Sequence, residues 1–89
     1  MRQNLTPARV VAPGKILLRE LTARGSTPTD LAKMINRDPQ VISEILNSAI
    51  PITPEIASDL SAALGTSEMF WINLESNYRR YLARQQQPV

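Results

Sequence analysis

The sequence predicts an all-α fold. Three prolines stand directly after helix-capping residues, apolar residues recur at helical spacing, and no segment alternates for long enough to be a strand. The pairs are Thr27-Pro28, Asp38-Pro39 and Thr53-Pro54. A proline at the first helical position has no N–H to leave unpaired and its φ already suits a helix, while the preceding oxygen caps free amides. Asp30, three residues after Thr27, gives a variant of the capping box. Stops come from Gly25, Asn36, Asn47 and Gly65, residue types that tolerate the left-handed conformation closing a helix.

The elements follow in order. The predicted spans are 13–24, 28–35, 39–47, 54–64 and 67–84. The first helix carries Ile16, Leu17 and Leu21 on one face, the second Leu31, Ala32 and Ile35. The third offers Val41, Ile42, Ile45 and Leu46, and the fourth Ile56, Leu60, Ala63 and Leu64. Each set has the spacing of a single buried helical face. Residues 1–9 read as a loose N-terminal arm, 10–84 as the folded domain and 85–89 as a frayed tail.

Composition narrows the chemistry. With 89 residues the chain makes one small domain, hiding roughly 60–65% of the surface that its unfolded form exposes. It contains no Cys and no His, which excludes disulfides, Cys or His metal ligands, Cys nucleophiles and His-based acid–base chemistry. The three glycines are scattered, so no phosphate-cradling loop is present. Glu55 and Asp59 share a helix face, but Glu55 lies in a first turn where the dipole favours an acid, and the pair reads as solvated surface. No cofactor and no enzymatic activity are expected. The chain lacks an apolar run near the roughly 18 residues of a membrane span and opens without a signal-peptide stretch, so a cytoplasmic protein is expected.

The second and third helices are short and joined by Asn36-Arg37-Asp38. So brief a connector makes them cross steeply, as in a helix-turn-helix. With Ile42 and Ile45 inward, the third helix turns Gln40, Ser43, Glu44 and Asn47 outward. Such side chains reach base edges, Gln and Asn pairing well with adenine.

Leu31-Ala32-Lys33-Met34-Ile35-Asn36 followed by Ile42-Ser43-Glu44-Ile45-Leu46-Asn47 resembles the Xre/Cro helix-turn-helix family. Pro13-Gly14-Lys15-Ile16-Leu17, the stretch from Ile52 to Ala57, and Leu64-Gly65-Thr66-Ser67 leading into Phe70-Trp71-Ile72-Asn73-Leu74-Glu75 look more narrowly like HigA-type antitoxins. The resemblance spans about residues 12–82. It implies a five-helix, lambda-repressor-like DNA-binding domain. It further implies a homodimer that binds a palindromic double-stranded DNA operator, represses its own operon and neutralises a RelE-like, mRNA-cleaving toxin ribonuclease. By position, Gln40, Ser43, Glu44 and Asn47 fall on the base-reading face, and Thr27, Thr29, Lys33 and Arg37 fall near phosphates. The chain departs from the family at Pro28, where many members have Gln, and at Asn36 and Arg37, where many have glycine and an aliphatic residue.

Charge is unevenly spread: +5 over residues 1–37, −6 over 38–75 and +3 over 76–89. The third helix is therefore acidic, although affinity for DNA comes mostly from neutralised phosphates. Lys33, Arg37, the arm and helix N-termini are expected to supply the attraction, with modest affinity and a steep salt dependence. The acidic middle segment suits a basic partner equally with plain solubility.

The last helix has an apolar and aromatic stripe at 70, 74, 78, 81 and 82. It either closes the chain's own core or meets a second copy. Met69, Phe70 and Ile72 are expected in the core, and Trp71, Leu74, Tyr78, Tyr81 and Leu82 in a two-fold dimer contact. Arg79, Arg80 and Arg84 read as a solvated helix end. Two other readings stay open: a stand-alone Xre-type regulator, and a protein-interaction module on the same scaffold without DNA binding.

Overall fold

A computed structural model of the chain describes residues 11–86. They form five α-helices and, among the described residues, no strand: α1 (Pro13–Ala23), α2 (Pro28–Met34), α3 (Pro39–Leu46), α4 (Pro54–Leu64) and α5 (Glu68–Gln86). None of these helices is long and apolar enough to cross a membrane. The predicted arm at 1–9 and most of the predicted tail lie outside the described residues.

The helix starts are built as the sequence predicts. At α2 the capping box is complete, with Asp30 N–H donating to Thr27 Oγ1 (3.1 Å) and Thr27 N–H donating to Asp30 Oδ2 (2.9 Å). Asp38 Oδ1 caps α3 through Gln40 N–H (2.9 Å), and Thr53 Oγ1 caps α4 through Ile56 N–H (3.2 Å). α5 has an equivalent start in Ser67, whose Oγ accepts from Phe70 N–H at 3.0 Å.

The ends obey one pattern. After α1, α2 and α3 the chain passes through a left-handed residue, and the next amide reaches back five residues: Ser26 to Leu21 (2.9 Å), Arg37 to Ala32 (2.9 Å) and Ala49 to Glu44 (2.8 Å). This is the bond of a Schellman ending. At α3 the left-handed residue is Ser48 (φ 61°), one position beyond the expected Asn47, which keeps φ −90°. Helix α3 therefore lies between two non-glycine residues of positive φ, Asn36 (56°) and Ser48.

Leu17, Leu21, Leu31, Ala32, Ile42, Ile45, Ile52, Ile56, Ala57, Leu60 and Leu64 make the buried core together with Trp71. α3 packs against α2 and α1, while α5 packs against α4 and α1. The N-terminal end of α1 abuts the C-terminal end of α3 so closely that a Cβ on Gly14 would collide with the carbonyl oxygens of Ile45 and Leu46. The positive end of one helix thus faces the negative end of the other.

Trp71 is the main correction to the sequence reading. It is 0% exposed within a single chain, its Nε1–H donates to Thr66 Oγ1 (2.7 Å), and it is core and not a dimer contact. Met69 and Phe70, expected inside, are 56% and 40% exposed. Helical phase explains both. With 100° between successive residues, pointing Trp71 at α4 turns positions 69 and 70 away and sends Leu74, Tyr78 and Leu82 inward as the half-buried continuation.

Candidate nucleic-acid interface

α2 and α3 are joined by residues 35–38 and pack against each other, and the small Ala32 of α2 is buried. Ile42 and Ile45 hold α3 to the core, which leaves the opposite face uncovered. Gln40, Ser43 and Asn47 are exposed there and Glu44 is half-buried. Gln40 Nε2 donates to Glu44 Oε2 across one turn at 3.4 Å. The four side chains expected on one face are on one face.

The residues expected near phosphates divide. Thr29 and Lys33 are exposed one turn apart on α2. Thr27 is exposed, but its hydroxyl oxygen is occupied by the cap. Asp30 beside it is held below the ordinary carboxylate pKa, first by the Thr27 backbone N–H and then by the Thr27 hydroxyl. Its negative charge therefore persists at the α2 N-terminus. Arg37 turns toward α4 and donates through Nε to Asp59 Oδ2 (2.7 Å), both side chains about one-third exposed.

The start of α3 has little left for an anion. Pro39 has no N–H, Gln40 N–H is taken by Asp38, and Val41 N–H reaches the Asp38 carbonyl at 2.9 Å. Ion pairs also remove Arg24 (to Glu20, 3.4 Å) and Arg79 (to Glu75). Among the described residues, the exposed cations outside any ion pair are Lys15, Arg19, Lys33, Arg80 and Arg84. None belongs to α3.

Glu75 does more than pair with Arg79. Its Oε1 accepts the Ile52 N–H at 3.0 Å, tying α5 to the loop that follows α3. Nothing local in the sequence marks a contact spanning 23 residues. Further along α5, Leu74, Tyr78, Tyr81 and Leu82 are half-buried. Leu74 also lines an open cleft of about 460 Å³ with Val11, Ile16, Asn77, Arg80 and Arg84.

Comparison with known proteins agrees with this geometry. The helix-turn-helix family HTH_3 matches residues 17–71. YddM of Escherichia coli strain K12, an uncharacterized HTH-type transcriptional regulator, is 30% identical over 64 residues, 72% of this chain and 68% of its own length. Among solved structures, an addiction module antidote protein of the HigA family from Coxiella burnetii aligns with a TM-score of 0.83 at 32% identity, over 89% of this chain and 87% of that one. The Pseudomonas aeruginosa antitoxin HigA, solved with the higBA promoter, aligns with a TM-score of 0.80 at 30% identity, over 84% and 83%. The chain belongs to the Xre-type helix-turn-helix family, and its fold is that of the HigA-type antitoxins.

Proposed function

We propose that the chain is a transcriptional repressor of the antitoxin type, a homodimer that reads a palindromic double-stranded DNA operator with α3 and sequesters a RelE-like, mRNA-cleaving toxin ribonuclease. The observation that carries the DNA-binding part is the uncovered face of α3. Its Gln40, Ser43, Glu44 and Asn47 project from a helix whose other side is fastened to the core. The P. aeruginosa HigA structure contains promoter DNA, which supports the same use of this fold. Thr29 and Lys33 serve as phosphate contacts. Toxin binding is supported by likeness to proteins named as antitoxins. The dimer would use the surface of Leu74, Tyr78, Tyr81 and Leu82 on α5 that the single chain leaves uncovered. In that dimer the two α3 helices stand about 34 Å apart, one turn of DNA.

A gel shift on the DNA upstream of the gene tests the reading. Wild type retards this DNA at low salt, the double substitution Gln40→Ala/Ser43→Ala does not, and retardation by wild type weakens steeply as salt rises. A wild type that leaves the DNA unretarded at low salt overturns the repressor reading in favour of a protein-interaction module. Co-expression with a small basic reading frame adjacent to the gene tests the toxin, which is expected to co-purify and to lose its RNA-cleaving activity.

A further inference from the structure

The outward face of α3 has an unusual chemical character. Over Pro39–Leu46 it carries no Lys or Arg, and Glu44 is its one charged residue. Glu44 Oε2 takes the Gln40 amide N–H. Only the nitrogen end of that amide donates to a carboxylate, so the Gln40 Oε1 is left as an acceptor. Among the described residues no protein donor reaches Glu44 Oε1 or Gln40 Oε1. The pair thus presents hydrogen-bond acceptors where recognition helices commonly present a cation.

In the major groove guanine offers two acceptors, N7 and O6, and is most often read by Arg or Lys. A carboxylate facing guanine meets like polarity and leaves both partners desolvated and unpaired. Cytosine offers its N4 amino donor with only a C–H beside it. Adenine offers N6, but with the N7 acceptor next to it. The donor that a carboxylate meets without an adjoining acceptor is therefore that of cytosine.

Resting on the DNA-binding reading above, we propose that Glu44, held by Gln40, is the specificity-determining residue of the interface, selecting one cytosine per half-site through its N4 amino group and rejecting guanine there. Rejection is as important as attraction, because a misplaced charge discriminates strongly between partners.

Selection from a random-sequence duplex library with wild type, Glu44→Gln and Glu44→Ala tests this. These substitutions lie on an outward face, and the Gln variant keeps the shape of the side chain. Wild type returns a consensus with one cytosine in each half-site. Glu44→Gln shifts that position toward adenine, and Glu44→Ala loses the preference while binding random duplex more tightly, since a negative charge has left the groove. Replacing that cytosine by N4-methylcytosine puts a methyl on the groove-facing amino hydrogen and leaves base pairing intact. It costs wild type about tenfold in affinity, the scale of one base contact, and leaves Glu44→Ala unchanged. An unchanged consensus in both variants, guanine at the position that shifts, or an N4-methyl duplex bound as well as the parent overturns the assignment. So does a wild type that binds duplex without any consensus, which leaves DNA binding itself standing. A wild type that retains no duplex overturns both.

Discussion

Arg37 and Asp59, 22 residues apart, meet through a single Nε–H···Oδ2 bond of 2.7 Å that fastens the turn before α3 to the middle of α4. Both side chains are about one-third exposed, so solvent screens the pair, and ion pairs of this kind contribute about 0–1 kcal/mol. A double-mutant cycle with Arg37→Ala and Asp59→Ala in urea is expected to give a coupling within that range. Because Arg37 is turned to α4, its removal leaves the salt dependence of DNA binding unaltered, whereas Lys33→Ala makes it shallower by roughly one ion.

Gly14 is intolerant of any side chain. A methyl group there lands on the Ile45 and Leu46 carbonyls, and these are backbone atoms at the end of α3. Overpacking of this sort costs about 1–3 kcal/mol. In a domain this small each kcal/mol lowers the melting temperature by about 4–8 °C. Thermal melts of Gly14→Ala are expected to show that drop, and an unshifted melt contradicts the close approach.

Trp71 reports on the core alone. Its complete burial and its bond to Thr66 predict blue-shifted emission that acrylamide quenches poorly and that does not change on dilution through any dimer dissociation. Trp71→Ala is expected to lose about 3–5 kcal/mol in urea denaturation. Trp71→Phe loses less, since the ring volume is largely kept and the bond to Thr66 is the main casualty. Emission that shifts red on dilution would return Trp71 to an interface.

Acid acts on the α2 capping box. The Asp30 carboxyl is held below its ordinary value by Thr27, through the backbone N–H first and the hydroxyl second. A group whose pKa is depressed by folding adds stability that is complete above its unfolded value and is lost as pH falls through the folded value. The melting temperature of Asp30→Asn should therefore fall less steeply than that of wild type between about pH 5 and pH 2. Equal slopes would show that the box contributes nothing.

Local signals made most of the fold legible. The order Thr27-Pro28, Asp38-Pro39 and Thr53-Pro54 locates three helix starts to the residue. The outward set on α3 follows from the inward Ile42 and Ile45. What escaped local reading depends on distant partners or on phase. Arg37 reads as a free cation until α4 brings Asp59 beside it, and nothing near Glu75 in the sequence announces the loop amide of Ile52. On α5 nearly every position from Met69 to Leu74 is apolar, so periodicity alone does not say which side faces in. The Ser67 cap and the bond from Trp71 to Thr66 select the phase.

The cation-free α3 has a kinetic consequence. For a repressor that reads its operator with α3 as proposed, the reading helix would add no attraction on random duplex, and the grip would fall to scattered lysines and arginines elsewhere on the surface. Encounters with wrong sequences would then be brief, and few copies would be tied up along the chromosome. That division would give search and verification to different parts of the molecule, so that substitutions in the first alter arrival and substitutions in the second alter how long the protein stays.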